Sequence, residues 1–231
     1  MAKSESVSFF FPAYYDEKSI PKLAREFYSA LEKTGRDFEV VVIDDCSPDN
    51  VGEVADNLAR ELPKLRVVHH EKNRGYGGVL VTGFGGAKKT LAGFTDGDAQ
   101  YSVKDLQKFL DAIKEADLVI GYRVKRADKF SRTFFQKIYK MFLLVLFGLR
   151  VRDPDCSFKM MRASVFPKIK PVSKSGFFSA EMLYKAKKQG LKIKEVPVTH
   201  LERKFGESTF FGWKRVLTMF TDMLKVRFRK T

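Results

Sequence analysis

Residues 93–102 read GFTDGDAQYS and place two aspartates, Asp96 and Asp98, one residue apart at the end of an apolar run. Side chains at i and i+2 share one side of an extended chain, and Gly97 between them permits a turn that brings both carboxylates toward one ion. Two hard oxygen donors suit magnesium or manganese rather than zinc, and such ions are commonly held by one or two carboxylates together with substrate phosphates. The pair therefore points to a metal and, through it, to a phosphorylated ligand. A second acidic pair, Asp44 and Asp45, ends another apolar run, where a carboxylate can accept hydrogen bonds from ribose hydroxyls or a base edge. Taken singly, each pair reads equally well as a solvated turn. The stretch NRGYGGVLVTGFGG has neither G-x-G-x-x-G nor P-loop spacing. Gly75, Gly77 and Gly78 are then points where backbone approaches a ligand, a strand or a helix closely.

These residues need a frame. Apolar runs near 6–11, 39–43, 65–69, 91–95 and 117–121 read as strands, separated by amphipathic stretches of helix length near 20–33, 50–61, 77–90 and 104–115. The last of these opens at Ser102, with Asp105 three residues on. Such alternation predicts a mostly parallel sheet with helices on both faces, and the wholly apolar strands agree. In such sheets ligands bind at the carboxyl ends of the strands, which gathers Pro12 to Tyr14, Asp44 to Ser47, Asn73 to Gly75, Asp96 to Asp98 and Gly121 to Arg123 on one rim. Beyond residue 124 the pattern predicts a helix near 129–147, the irregular segment RVRDPDCSF, a strand near 158–162, a helix near 180–189 and a strand at 192–198. In the closing segment Trp213, Val216, Leu217, Phe220, Met223 and Leu224 recur at helical spacing among lysines and arginines.

Composition sets limits. The chain has 231 residues, 44% hydrophobic with 22 Phe, enough for one packed domain over 1–209 followed by an amphipathic basic helix over 210–231. With 43 Lys+Arg against 28 Asp+Glu, its formal charge of +15 calls for an anionic partner. Cys46 and Cys156 form no C-x-x-C pair, and His69, His70 and His200 have no zinc-ligand spacing. Unpaired thiols and the lack of an export signal predict a cytoplasmic protein. The longest apolar run, MFLLVLFGL at 141–149, is far short of the roughly 20 residues of a spanning helix.

The rim clusters, taken in order, resemble the inverting family-two glycosyltransferases of the nucleotide-diphospho-sugar-binding GT-A fold, and among them the dolichol-phosphate mannose synthase group of polyprenyl-phosphate glycosyltransferases. Pro12-Ala13-Tyr14-Tyr15-Asp16 resembles the family's P-x-Y-N-E, with Tyr15 and Asp16 in place of Asn and Glu and with Glu17 following. Asp44-Asp45-Cys46-Ser47-Pro48-Asp49 resembles D-D-G-S-x-D, with Cys46 for glycine, and Asn73-Arg74-Gly75-Tyr76-Gly77 matches N-x-G-x-G. Asp96-Gly97-Asp98-Ala99-Gln100 matches D-A-D-x-Q, Gly121-Tyr122-Arg123 is similar to G-S-R, and Arg203, Gly206 and Ser208 match R-x-x-G-x-S-[KR], where Thr209 drops the final cation. The Q-x-x-R-W signature of processive polysaccharide synthases does not occur.

The resemblance implies a metal-dependent transfer of a hexose from a nucleotide sugar, GDP-mannose or a UDP-hexose, to a polyprenyl phosphate at the cytoplasmic face of a membrane. It makes Asp96, Asp98 and Gln100 the ligands of Mg2+ or Mn2+. Pro12, Tyr14, Asp16, Glu17, Asp44, Asp45, Ser47, Asn73, Gly75 and Asp96 become donor-binding residues. Asp98 and Arg123 become the catalytic pair, and Arg123, Arg132, Arg203 and Ser208 hold the acceptor phosphate, since guanidinium forks match phosphate oxygens. A phosphate nucleophile needs no dedicated base, because its second ionisation lies near pH 6; Glu181 is the one downstream carboxylate kept for that role, against its reading as a helix-surface charge. Segments 130–149 and 210–229 mix large apolar and basic residues as interfacial helices do and would meet an anionic membrane, although covering the core is an equal reading of the first. Transfer to a glycan hydroxyl is the competing enzyme reading. A catalytically inactive membrane-surface adaptor and a nucleic-acid-binding module come from other classes; nucleic acid is not expected as a partner, for the chain carries no recognition motif for it.

Overall fold

The computed structural model describes residues 5–124, 130–203 and 213–228, with the side chains of 130–137 and 213–216 outside that description. Strands β1 (Val7–Ala13), β2 (Phe38–Asp44), β3 (Leu65–His69), β4 (Leu91–Phe94), β5 (Leu118–Arg123), β6 (Lys159–Arg162) and β7 (Ile193–Val198) form one sheet in the order β3-β2-β1-β4-β6-β5-β7. The first four pair in parallel, and β5 pairs in parallel with β7. Only β6 runs against its neighbours, β4 and β5. The helices are α1 (Ile20–Lys33), α2 (Val51–Glu61), α3 (Gly75–Gly85), α4 (Leu106–Ala112), α5 (Phe130–Phe147), α6 (Phe166–Ile169), α7 (Phe178–Lys188) and α8 (Trp213–Phe228).

Every residue of β1 and β2 is buried, as strands covered on both faces must be. Alternation divides them between two layers. Phe9, Phe11, Val40 and Val42 pack with Phe27, Leu31, Leu58 and Phe109 of α1, α2 and α4. Phe10, Val41 and Ile43 face α3, α5 and α7 through Leu80, Phe84, Phe147 and Leu183. Met223 of α8 is buried in this second layer, and Phe220 meets Phe142 of α5 edge to face at 5.4 Å.

Two helix boundaries differ from expectation. α3 was expected to reach residue 90 and ends at Gly85, because the Lys88 and Lys89 amides leave the helix to donate to Glu39 Oε1 at 2.9 Å and Ser8 Oγ at 3.1 Å. The helix expected over 104–115 is α4 flanked by single 3-10 turns at Val103–Asp105 and Ile113–Glu115. Ser102 Oγ accepts from Lys104 N at 3.3 Å, but Asp105 does not complete a capping box; its carboxylate takes Lys108 Nζ and Thr199 N, each at 2.6 Å. That bond ties α4 to the exit of β7, and the chain beyond then runs back along the Asp98 loop, with Leu201 N donating to Gln100 O at 2.7 Å.

Candidate active site

The carboxyl ends of β1, β2 and β4 form the rim on which the sequence placed its acidic clusters. Past β4, Asp96 is held from two sides: Tyr76 Oη donates to Oδ1 at 3.0 Å and Ser157 Oγ to Oδ2 at 2.5 Å. Gly97 passes so close to β1 that a Cβ there would lie 2.4 Å from the Pro12 carbonyl oxygen and 2.9 Å from Asp16 Oδ2. The chain then turns through Ala99 at φ +55. Asp98 Oδ1 accepts Gln100 N at 3.1 Å, while Oδ2 accepts the Arg203 guanidinium. Asp16 closes the cluster from β1, its Oδ2 accepting Tyr14 N at 3.2 Å.

Electrostatics show what this loop lacks. Burial, and then the charge of Asp96, push the Asp98 carboxyl up to about 7, with Arg203 opposing. Burial also raises Asp16 to about 6; the Tyr14 amide opposes, and Asp96 adds to the rise. Carboxylates crowded so that ionisation is disfavoured are short of positive charge, and a hard divalent cation fits that deficit. Among the described residues no three His, Cys, Asp or Glu side chains gather as a metal cluster. Asp96, Asp98 and Gln100 could hold an ion only together with further oxygen ligands, such as phosphate and water.

The second acidic pair behaves differently from the expectation of open acceptors. Asp45 is buried, and both its oxygens are engaged: Oδ1 meets His70 Nδ1 at 2.7 Å and Arg74 N at 2.8 Å, and Oδ2 accepts Gly75 N at 2.9 Å. It anchors the start of α3. Asp44 takes Ser47 N at 2.9 Å and pairs with His69 Nδ1 at 3.0 Å, which raises the pKa of that imidazole. Ser47 Oγ in turn accepts Tyr15 N at 2.9 Å and donates to Asp49 at 2.6 Å. Glu17 reaches Asn50 N at 3.1 Å, and Asn73 Oδ1 accepts Gly75 N at 3.0 Å. These bonds fix a shelf on which Tyr14 and Tyr15 stand exposed, their rings edge to face at 4.8 Å. Tyr15 and Cys46 both hold positive φ, +62 and +54, a strain that persists only where surroundings impose it.

Arg123 lies at the end of β5 as expected, but its guanidinium is closed on Asp153: Nε donates to Oδ2 at 2.7 Å and Nη2 to Oδ1 at 2.9 Å, with side chains only 9% and 6% exposed. The free phosphate fork expected there is therefore already paired to a carboxylate. Arg203, 105 residues from Asp98, sits against the loop instead. Arg132 lies in α5 with its side chain outside the described residues, and Ser208 is outside them altogether. Glu181 is corrected outright. It is fully buried rather than a surface charge, and it accepts Val172 N at 3.0 Å, Ser173 N at 2.8 Å and Lys185 Nζ at 2.8 Å. Its oxygens are taken up by loop amides and a lysine, so the surface-charge reading is the one overturned.

Glu181 thereby pins a loop onto α3. Gly77 N donates to Lys174 O at 3.2 Å, and a Cβ at Gly77 would stand 2.3 Å from Ser173 O. Gly77→Ala is expected to destabilise by about 1–3 kcal/mol in urea unfolding, because the pinned backbone cannot yield. An unchanged midpoint would mean that the loop moves freely. Tyr76, His70, Ser157 and Asp153 were not singled out from sequence. The only signal for Asp153 was its place in the irregular RVRDPDCSF segment.

A mostly parallel sheet carrying acidic, amide and arginine side chains on its carboxyl rim is the architecture of a GT-A glycosyltransferase. Residues 8–170 match glycosyl transferase family 2, and the chain belongs to that family. Its relatives include undecaprenyl-phosphate mannosyltransferase of Micrococcus luteus, 29% identical over 87% of this chain and 86% of that protein. Polyprenol monophosphomannose synthase of Mycolicibacterium smegmatis is 28% identical over 87% and 79%. Among solved structures, glucosyl-3-phosphoglycerate synthase of Mycobacterium tuberculosis in complex with phosphoglyceric acid shares the fold at a TM-score of 0.76, 16% identical, over 96% of this chain and 80% of that one. The same enzyme has been crystallised with Mn2+ and uridine diphosphate, at a TM-score of 0.72, 15% identity and 96% and 78% coverage.

Proposed function

We propose that the protein transfers a hexose from a nucleoside-diphosphate sugar to a polyprenyl phosphate. The contact of Arg203 with Asp98 carries this reading, because it sets a phosphate-binding cation beside the carboxylate that would face the donor diphosphate. The named activities of the relatives agree with it. The nucleoside would lie along Pro12 to Glu17 and the Asp44–Ser47 turn, with Asn73 and Gly75 bordering it and Asp45 acting through the loop it anchors. Asp96, Asp98 and Gln100 would hold Mg2+ or Mn2+, which when bound neutralises charge developing on the departing nucleoside diphosphate. A lipid phosphate oxygen, steered by Arg203, Arg132, Ser208 and Arg123, would attack the anomeric carbon in line as the bond to the diphosphate breaks. The anomeric configuration inverts.

The acceptor side fits a membrane. No helix among the described residues is long and apolar enough to cross one. Yet Met141, Leu144 and Val145 of α5 and Leu217, Leu224 and Phe228 of α8 are exposed, the last 71% so, on two helices in contact and beside Lys225 and Arg227. Apolar side chains flanked by cations are what an anionic interface binds. We read 210–231 as an interfacial segment of a peripheral protein on the cytoplasmic face. Leu217→Asp combined with Phe228→Asp should weaken binding to anionic phospholipid vesicles by roughly ten- to hundredfold, read by co-sedimentation. Unaltered sedimentation would count against this surface.

The deciding experiment supplies radiolabelled GDP- and UDP-sugars with polyprenyl phosphate in bilayers and Mg2+ or Mn2+, against controls without lipid or metal. Label entering the organic phase only with both establishes the reaction and its donor. Turnover of a glycan hydroxyl acceptor, with none of the lipid phosphate, would replace it.

A further inference from the structure

Asp98 and Gln100 each present an oxygen to the same side-chain plane, that of Arg203. Its Nη2 donates to Asp98 Oδ2, and its Nε points to Gln100 Oε1 at 3.4 Å. The remaining bonds hold this arrangement in place: Gln100 Nε2 donates to Leu201 O at 3.1 Å and Leu201 N to Gln100 O at 2.7 Å, while His200 bridges to Tyr101. The segment bearing Arg203 is thus zipped along the loop that would bind the cation. A guanidinium is a planar donor carrying one positive charge, and here it satisfies a carboxylate only 9% exposed. A divalent ion held by Asp98 and Gln100 would compete with the guanidinium for them, since like charges repel strongly in a partly buried site.

We propose that Arg203 is a latch: it occupies the cation's place in the metal-free protein, and entry of the cation expels it toward the acceptor phosphate. Metal and acceptor binding are thereby coupled, each favouring the state in which Arg203 has left Asp98, and the coupling is reciprocal. This rests on the metal and acceptor assignments made above. The acceptor-binding cation is then delivered only when the metal is in place.

The test is Mn2+ affinity without nucleotide, measured from the electron paramagnetic resonance of free Mn2+ for the unaltered chain, Arg203→Gln and Arg203→Lys. Removing the competitor should tighten Mn2+ binding on the order of tenfold in Arg203→Gln, with Arg203→Lys between. A purely structural arginine would give weaker binding on removal. A second measurement needs no variant: saturating Mn2+ should increase phenylglyoxal modification of Arg203, read by peptide mass spectrometry, and it decides the matter alone if Arg203→Gln does not fold. Equal Mn2+ affinities, or labelling that Mn2+ leaves unchanged, overturn the latch and leave the metal site standing. Absence of Mn2+ binding in every form, even with nucleoside diphosphate present, overturns both.

Discussion

Asp98→Ala is expected to lower sugar transfer by roughly a thousandfold or more while the protein stays folded. The loss follows from position: Asp98 is the carboxylate of the loop that burial and Asp96 push up to about 7, a rise that Arg203 opposes and that a bound cation would oppose further. Removing it takes away a buried carboxylate, and the Arg203 side chain, 29% exposed, can turn to water. Stability and activity should therefore separate. Transfer to polyprenyl phosphate, circular dichroism and thermal melting measured on one preparation check this. Full activity of Asp98→Ala under strict metal depletion would remove the metal from the mechanism. A collapsed melting curve would instead make the aspartate a structural residue.

Asp153→Ala is expected to act in the opposite sense, costing about 3–5 kcal/mol in urea unfolding. Its two oxygens receive the Arg123 fork at 2.7 and 2.9 Å and the Arg123 amide at 3.3 Å, all nearly out of solvent. Truncation leaves a guanidinium buried without its partner, which is far more costly than never having had the pair. Arg123→Leu combined with Asp153→Leu should accordingly recover most of the loss, and the double-mutant cycle measures the coupling. If that stable double variant has also lost transfer, Arg123 serves the acceptor as well as the fold. Unchanged transfer would confine it to holding the end of β5 against the 153–157 segment.

This pair marks where sequence reading reached its boundary. Arg123 was placed correctly at a strand end, since apolar runs and the turns after them are local signals. Its partner was out of reach, because Asp153 follows α5 and the contact depends on β6 entering the sheet antiparallel between β4 and β5. Glu181 failed for a related reason. Helical spacing allowed a surface position, but the 170–175 loop folds back over the helix start and turns the carboxylate into an anchor for its amides. Asp45 shows a third form of the limit: the D-D-x-S pattern located the residue, while His70 and the amides of Arg74 and Gly75, brought in by the β2–β3 pairing and the turn into α3, decided what its oxygens hold.

Strand–helix alternation, the rim that gathers the acidic clusters, the family and the acidic loop from Asp96 to Gln100 could all be read along the chain. Each of these is written in residues close together along the chain, where periodicity and motif spacing are fixed by backbone geometry. Which arginine meets that loop depends on how the folded chain is arranged. Arg203 reaches Asp98 across 105 residues because β7 exits beside α4 and runs back along the loop, whereas Arg123, nearer in sequence, is claimed by Asp153. Charge pairing is settled by distance in space and by burial, and neither is recorded in the spacing of residues along a chain.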